Sequence, residues 1–160
     1  MENNIIVIPV RMASKRFPGK PLVKINGKTM VRLVWEKAVK AKVGEVLVAC
    51  CDKEVKAHLE DNNIPYVMTK KNLRSGTDRV FNALHKSNKI NQYKLIVNLQ
   101  GDLPNISFRD IRKLVHLSIK KKSRMSTLVA RIQEEKKIKD KNIVKVALSK
   151  KNIGYKAVYF

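Results

Sequence analysis

An open, largely parallel α/β sheet flanked by helices is the fold that this sequence predicts, and three observations predict it. Short apolar runs such as Ile5-Ile6-Val7-Ile8 close on proline, cysteine or glycine, as strands buried on both faces do. Between them lie stretches whose apolar positions recur at helical spacing, so that strands and helices alternate along the chain. The chain has 160 residues, 44% hydrophobic and 30% charged, which is enough apolar material for one core and too balanced for intrinsic disorder. Residues 1–160 therefore read as a single domain.

Each element follows in order. Residues 5–9 form the first strand, closed by Pro9. The loop over residues 11–28 carries Pro18, Gly19, Pro21 and Gly27 among many cations, and a connection that long inside a compact domain is usually functional. Thr29 caps a helix whose positions Met30, Leu33, Val34, Ala38 and Ala41 share a face, with Gly44 as its stop. Residues 46–50 form the second strand, and Asp52 caps a helix reaching about residue 62. Residues 65–68 are the third strand, 69–76 a polar loop, and Thr77-Asp78 open a helix through His85. Residues 95–99 are the fourth strand. After Pro104 and Asn105, Ser107 caps a helix to about Lys120, where Lys120-Lys121-Lys122 set cations against the negative end of the helix dipole. Residues 126–131, 143–148 and 155–160 read as further strands, with 133–141 a charged connection. The last strand runs to the terminus with nothing after it, which reads as a truncated product.

Composition excludes several classes of function. No apolar run approaches the roughly 18 residues of a membrane-spanning helix, and the first run lacks a cleavable signal pattern, so no membrane association and a cytoplasmic location are expected. Cys50 and Cys51 are adjacent, which makes a poor disulfide, and they read as reduced, strand-borne thiols. Against 35 Lys+Arg stand 13 Asp+Glu, a net charge of +22 that invites a nucleic-acid reading. Yet the cations are spread along the chain, aromatics are 6%, and no zinc-finger, RNP or heptad pattern is present. No specific nucleic-acid partner is expected, and a basic nucleic-acid-binding module is retained only as the non-enzyme alternative.

In open α/β sheets, ligands bind beyond the carboxyl ends of the strands, which singles out three segments. The first gathers Arg11, Lys15, Arg16 and Lys20, cations that repel one another unless they share an anion, and so points to a polyphosphate. It is not a Walker loop: Gly27-Lys28-Thr29 has the end of one, but Leu22 stands where its first glycine is required. The second, Arg74-Ser75-Gly76-Thr77-Asp78-Arg79, joins a glycine turn to a helix N-terminus, where amide donors and two arginines suit a base or an anion. The third places Asp102 behind Gly101 at the end of a buried strand, where a carboxylate can hold a magnesium ion against nucleotide phosphates. His58, His85 and His116 are dispersed and read as helix residues, neither ligands nor bases.

Taken together, residues 8–22 (IPVRMASKRFPGKPL), 75–79 (SGTDR) and 97–104 (VNLQGDLP) closely resemble the 3-deoxy-manno-octulosonate cytidylyltransferases, the CMP-KDO synthetases, in collinear order over nearly the whole chain. The resemblance implies a nucleotide-diphospho-sugar transferase-like (Rossmann-like) fold with an incomplete second half. It also implies a Mg2+-dependent reaction of CTP with KDO to CMP-KDO and pyrophosphate for lipopolysaccharide biosynthesis. On this resemblance Arg11, Ser14, Arg16 and Lys20 match the triphosphate loop, and Arg74, Ser75, Gly76 and Thr77 match the nucleobase segment. Arg79 and Gln100 are candidates for the sugar acid and Asp102 for the metal. Arg11, Lys20 and Asp102 are the catalytic candidates. The family pattern is departed from at Leu73-Arg74, where His-Gln is usual, and at Leu103, where Glu is usual. The resemblance also implies a homodimer, with its contacts, more of the sugar pocket and another metal-binding aspartate supplied by a second half into which the family continues. The alternatives within this reading are a nucleotide-binding remnant without turnover and a sialic-acid-type cytidylyltransferase.

Overall fold

The computed structural model describes residues 3–13, 17–151 and 154–159. The elements, in chain order, are β1 (Asn4–Pro9), β2 (Lys24–Ile25), β3 (Lys28–Thr29), α1 (Met30–Ala41), β4 (Glu45–Cys50), α2 (Lys53–Asp61), β5 (Tyr66–Met68), α3 (Gly76–Lys86), β6 (Leu95–Asn98), α4 (Phe108–Lys120), α5 (Glu135–Lys139), β7 (Ala147–Lys150) and β8 (Tyr155–Tyr159). They fall into two compact units, residues 1–124 and 125–160.

In the first unit the sheet has the order β5-β4-β1-β6, parallel throughout. All six residues of β1 are buried. Their side chains alternate, so Ile6 and Ile8 face a cluster with Val31, Val34 and Ala38 of α1, Val55 and Leu59 of α2, and Ile111 of α4. Ile5 and Val7 face Val80, Ala83 and Leu84 of α3 on the other side. A strand covered on both faces favours apolar residues throughout, which is why residues 5–8 of β1 are an unbroken Ile/Val run; buried Asn4, at its start, donates to the Val43 carbonyl at 3.1 Å.

Several local assignments differ from the sequence reading, each for a physical reason. Among its described residues the loop after β1 contains a 3-10 turn at Lys20–Leu22 and the short β2–β3 hairpin, turned by Asn26 and Gly27 at positive φ. Thr29 precedes α1, but its side chain does not cap the helix; Oγ1 is paired at 2.7 Å with Nε2 of His58. Helix α1 stops at Lys42 in the left-handed region, two residues before Gly44, and Arg112 of α4 donates to the terminal carbonyl of Ala41 at 2.9 Å. Gly44 serves close packing instead: a Cβ there would lie 2.1 Å from the carbonyl oxygen of Asn4. Helix α3 is opened by Ser75, not Thr77, through a capping box. Ser75 Oγ accepts from the Asp78 amide and the Asp78 carboxylate accepts from the Ser75 amide. Cys51 lies one residue beyond β4, and both cysteines are free thiols. Burial pushes the Cys50 thiol up to about 12 and raises that of Cys51.

The second unit is a short helix, α5, and an antiparallel β7–β8 hairpin. The expected strand at residues 126–131 is absent; that stretch carries β-branched residues but no described neighbour to pair with. The strand expected at 143–148 is shifted to Ala147–Lys150, where β8 supplies its partner. No described residue of this unit is buried. No helix among the described residues is long and apolar enough to cross a membrane.

Two predictions follow from this packing. Gly44→Ala drives a methyl group into the β1 backbone and should cost about 2–3 kcal/mol in urea denaturation. Burial, together with the nearby Arg32 and Lys24 charges, holds the His58 imidazole below its usual 6.5. The unfolded chain therefore binds the proton first, and stability present above about pH 6.5 declines as pH falls toward the folded value. Melting temperature followed from neutral to mildly acidic pH should fall more gently in His58→Gln than in the wild type.

Candidate functional site

Because β1, β4 and β6 run parallel, their carboxyl ends open at one rim. There a hollow of about 520 Å3 is lined by residues from all three segments singled out by the sequence. From the first come Pro9, Val10, Arg11, Phe17, Lys20 and Pro21; from the second Ser75, Gly76 and Arg79; from the third Gln100, Gly101 and Asp102. Three cations face one carboxylate in this lining, so its field favours an anion.

The junction between first and third segments depends on Gly101. A Cβ there would stand 2.4 Å from Val10 Cγ1 and 3.0 Å from the Pro9 carbonyl, so only glycine lets the end of β6 lie against the end of β1. That approach brings Lys20, at the start of the 3-10 turn, to Asp102: Nζ donates to Oδ2 at 2.8 Å, with the side chains 32% and 52% exposed. A pair so open to water adds little to stability.

Arg79 is the opposite case. It is 2% exposed, and its guanidinium donates to Thr69 Oγ1 and, at 3.2 Å, to the Lys70 carbonyl. Among the described residues it forms no ion pair. A buried positive charge held by neutral acceptors at the wall of a hollow favours an anion there. Gln100 Nε2 donates to Asn98 Oδ1 at 2.9 Å, and Asn98 Nδ2 donates to Thr77 Oγ1 at 3.1 Å. This chain of amides ties the rim of β6 to the first turn of α3.

Of the residues expected from sequence, Arg11, Lys20, Ser75, Gly76, Arg79, Gln100 and Asp102 line one hollow. Arg74 and Thr77 do not: Arg74 is exposed in the turn before α3, and Thr77 is occupied with Asn98. Ser75 lines the hollow while its hydroxyl serves the helix cap. Ser14 and Arg16 lie outside the described residues, as does Lys15. Phe17, which is 48% exposed, and Pro21 join the lining without having been expected there. Asp52 was also read differently. Its carboxylate makes no cap to α2 and accepts instead from the Met12 amide at 2.8 Å and from the Cys51 thiol at 3.3 Å. Nothing in a single sequence distinguishes a capping aspartate from one that crosses to a neighbouring loop.

The family described as cytidylyltransferase matches residues 5–160. The 3-deoxy-manno-octulosonate cytidylyltransferase of Chelativorans sp. is 40% identical over 143 residues, covering 89% of this chain and 57% of that protein. The enzyme of the same description from Wigglesworthia glossinidia brevipalpis is 40% identical over 156 residues, covering 98% and 63%. The chain thus spans about three fifths of the length of these curated relatives. A solved structure of CMP:2-keto-3-deoxy-manno-octonic acid synthetase complexed with CTP superposes with a TM-score of 0.67 and 37% identity, over 76% of this chain and 49% of that one. A cytidylyltransferase from Leptospira borgpetersenii, 21% identical with a TM-score of 0.63 over 78% of this chain and 52% of its own, shares the fold.

The charge arrangement makes a prediction of its own. In the absence of metal, Asp102→Asn should bind inorganic tripolyphosphate roughly fivefold more tightly than the wild type, because it removes the one negative group and releases Lys20. Lys20→Met should bind it about tenfold more weakly. Isothermal titration in the presence of a chelator reads both signs.

Proposed function

The chain belongs to the cytidylyltransferase family, and from that premise we propose that it binds CTP in the rim hollow and transfers its cytidylyl group to KDO, giving CMP-KDO and pyrophosphate. The observation that carries this reading is the meeting of Lys20 and Asp102 beside buried Arg79: a phosphate-seeking cation, a cation-seeking carboxylate and an unneutralised guanidinium share one wall. The family match runs across residues 5–160, and the hollow is lined by residues of the first unit. In this reading the product serves lipopolysaccharide assembly in the cytoplasm.

The donor set fits a magnesium ion that comes with the nucleotide. Among the described residues no group of three or more His, Cys, Asp or Glu gathers as a cage, and Asp102 is the one carboxylate lining the hollow. Magnesium keeps several waters and takes its remaining oxygens from one or two carboxylates and substrate phosphates, so Asp102 suffices as a protein anchor. When bound, the ion neutralises charge on the phosphate oxygens.

The protein residues do the positioning. The anomeric hydroxyl oxygen of KDO forms a bond to the α-phosphorus while the bond from that phosphorus to the α–β bridging oxygen breaks; the electron pair leaves with pyrophosphate, and the hydroxyl proton passes to solvent water. In this reading Arg11 and Lys20, which line the hollow, hold the departing phosphates and offset the charge that gathers on them as the bond breaks. Lys20 exchanges its partner in doing so, leaving Asp102 for a phosphate. In the same reading Arg79 pairs with the sugar's carboxylate, and Gln100, anchored to Asn98, orients its hydroxyls. The N-terminus of α3, beginning at Gly76, adds amide donors to the same wall.

Protein incubated with CTP, KDO and magnesium should release pyrophosphate, and Arg79→Ala or Asp102→Ala should lower kcat/KM about a hundredfold or more. CTP binding without pyrophosphate release would contradict turnover by this chain. No CTP binding at all would contradict the assigned hollow.

A further inference from the structure

Asp52 stands two residues beyond the end of β4, across from the loop that leaves β1. Its position is that of a helix cap. The side chain is not used for that. Oδ2 reaches the neighbouring strand's loop and accepts the Met12 amide at 2.8 Å. The Met12 carbonyl in turn accepts from the Gly19 amide at 3.0 Å, and Gly19, at φ +74, turns the chain directly into Lys20. The chain thus departs at Met12 and returns at Gly19 through one residue whose amide and carbonyl are both bound. The parallel pairing of β1 with β4, extended by Val10 N to Ala49 O at 2.9 Å, sets the distance that the carboxylate spans.

We infer that Asp52 is a positioning residue for the phosphate-binding loop: by holding the Met12 amide it fixes the loop's two ends together and so sets where Arg11 and Lys20 stand in the hollow. This rests on the reading of residues 11–20 as a triphosphate loop, and it assigns the residue no contact with substrate.

The charge of Asp52 gives the inference a sign that can be tested. A carboxylate near a polyphosphate site repels the ligand, so a role through charge alone means that removing it tightens CTP binding. A positioning role means that removing the oxygen acceptor loosens it. Asp52→Ala should therefore raise the Kd for CTP about tenfold and speed hydrogen exchange at the Met12 and Gly19 amides, while the amides of α4 keep their protection. Asp52→Asn, which keeps an oxygen acceptor and loses the charge, should hold Met12 and Gly19 protection and bind CTP at least as tightly as the wild type.

The exchange measurement needs no ligand, so it decides the clamp even if wild-type protein fails to bind CTP, a result that would count against the functional reading instead. Unchanged exchange at Met12 and Gly19 in Asp52→Ala, or tighter CTP binding by that variant, overturns the inference. Should the alanine variant fail to fold, Asp52→Ser, which removes the charge and shortens the side chain, takes its place: faster exchange at Met12 and Gly19 supports the clamp, and unchanged exchange there overturns it.

Discussion

Because β1 is hydrogen-bonded in parallel to β4 on one side and β6 on the other, the chain leaves all three strands at the same end of the sheet. The rim hollow of the first unit descends from that constraint. The loop after β1 carries Arg11 and Lys20, the turn after β4 carries Asp52, and the turn after β6 carries Gln100, Gly101 and Asp102. Their meeting is a consequence of strand direction more than of any contact between them. The constraint is enforced by burial: a β1 covered by α1, α2 and α4 on one face and α3 on the other has no exposed register to slip into. Gly44 and Gly101 allow the close approaches at its two ends, against Asn4 and against Pro9 and Val10.

On this frame the sequence has arranged charge asymmetrically. The exposed Lys20–Asp102 pair is cheap to break, since water screens it in both states, whereas buried Arg79 cannot exchange its neutral acceptors for water without disturbing the wall. A site built from one fixed cation and one exchangeable ion pair can be held together without ligand and still reorganise when a charged substrate enters. The capping box of Ser75 and Asp78 keeps the first turn of α3 in place beside it, so the amides of that turn do not have to be ordered at the moment of binding.

Much of this was legible in the amino-acid order, and the limits are physical. The β1 run, the alternation of strands and helices, and the three rim segments could be read because burial on two faces and helical periodicity leave patterns in sequence. The resemblance carried by residues 8–22, 75–79 and 97–104 agrees with the family match. The assignments that had to be corrected are those decided by partners distant in sequence. Thr29 turned to His58, Asp52 to Met12 and Thr77 to Asn98, each abandoning the local cap that its residue type suggests. The stretch at 126–131 has strand-like composition, but a strand is completed by a neighbour, and composition does not name one. Phe17 lines the hollow because the chain folds back at Gly19, a turn visible as a glycine although its destination was not.

The central claim is that the hollow between Lys20, Arg79 and Asp102 is where a metal-bound cytidine triphosphate sits. A crystal structure of the protein grown with CTP and magnesium tests it most directly. The account predicts phosphate oxygens beside Lys20, a hydrated cation on Asp102, and the 2.8 Å Lys20–Asp102 contact broken. Nucleotide seated elsewhere, with that contact intact, would contradict it.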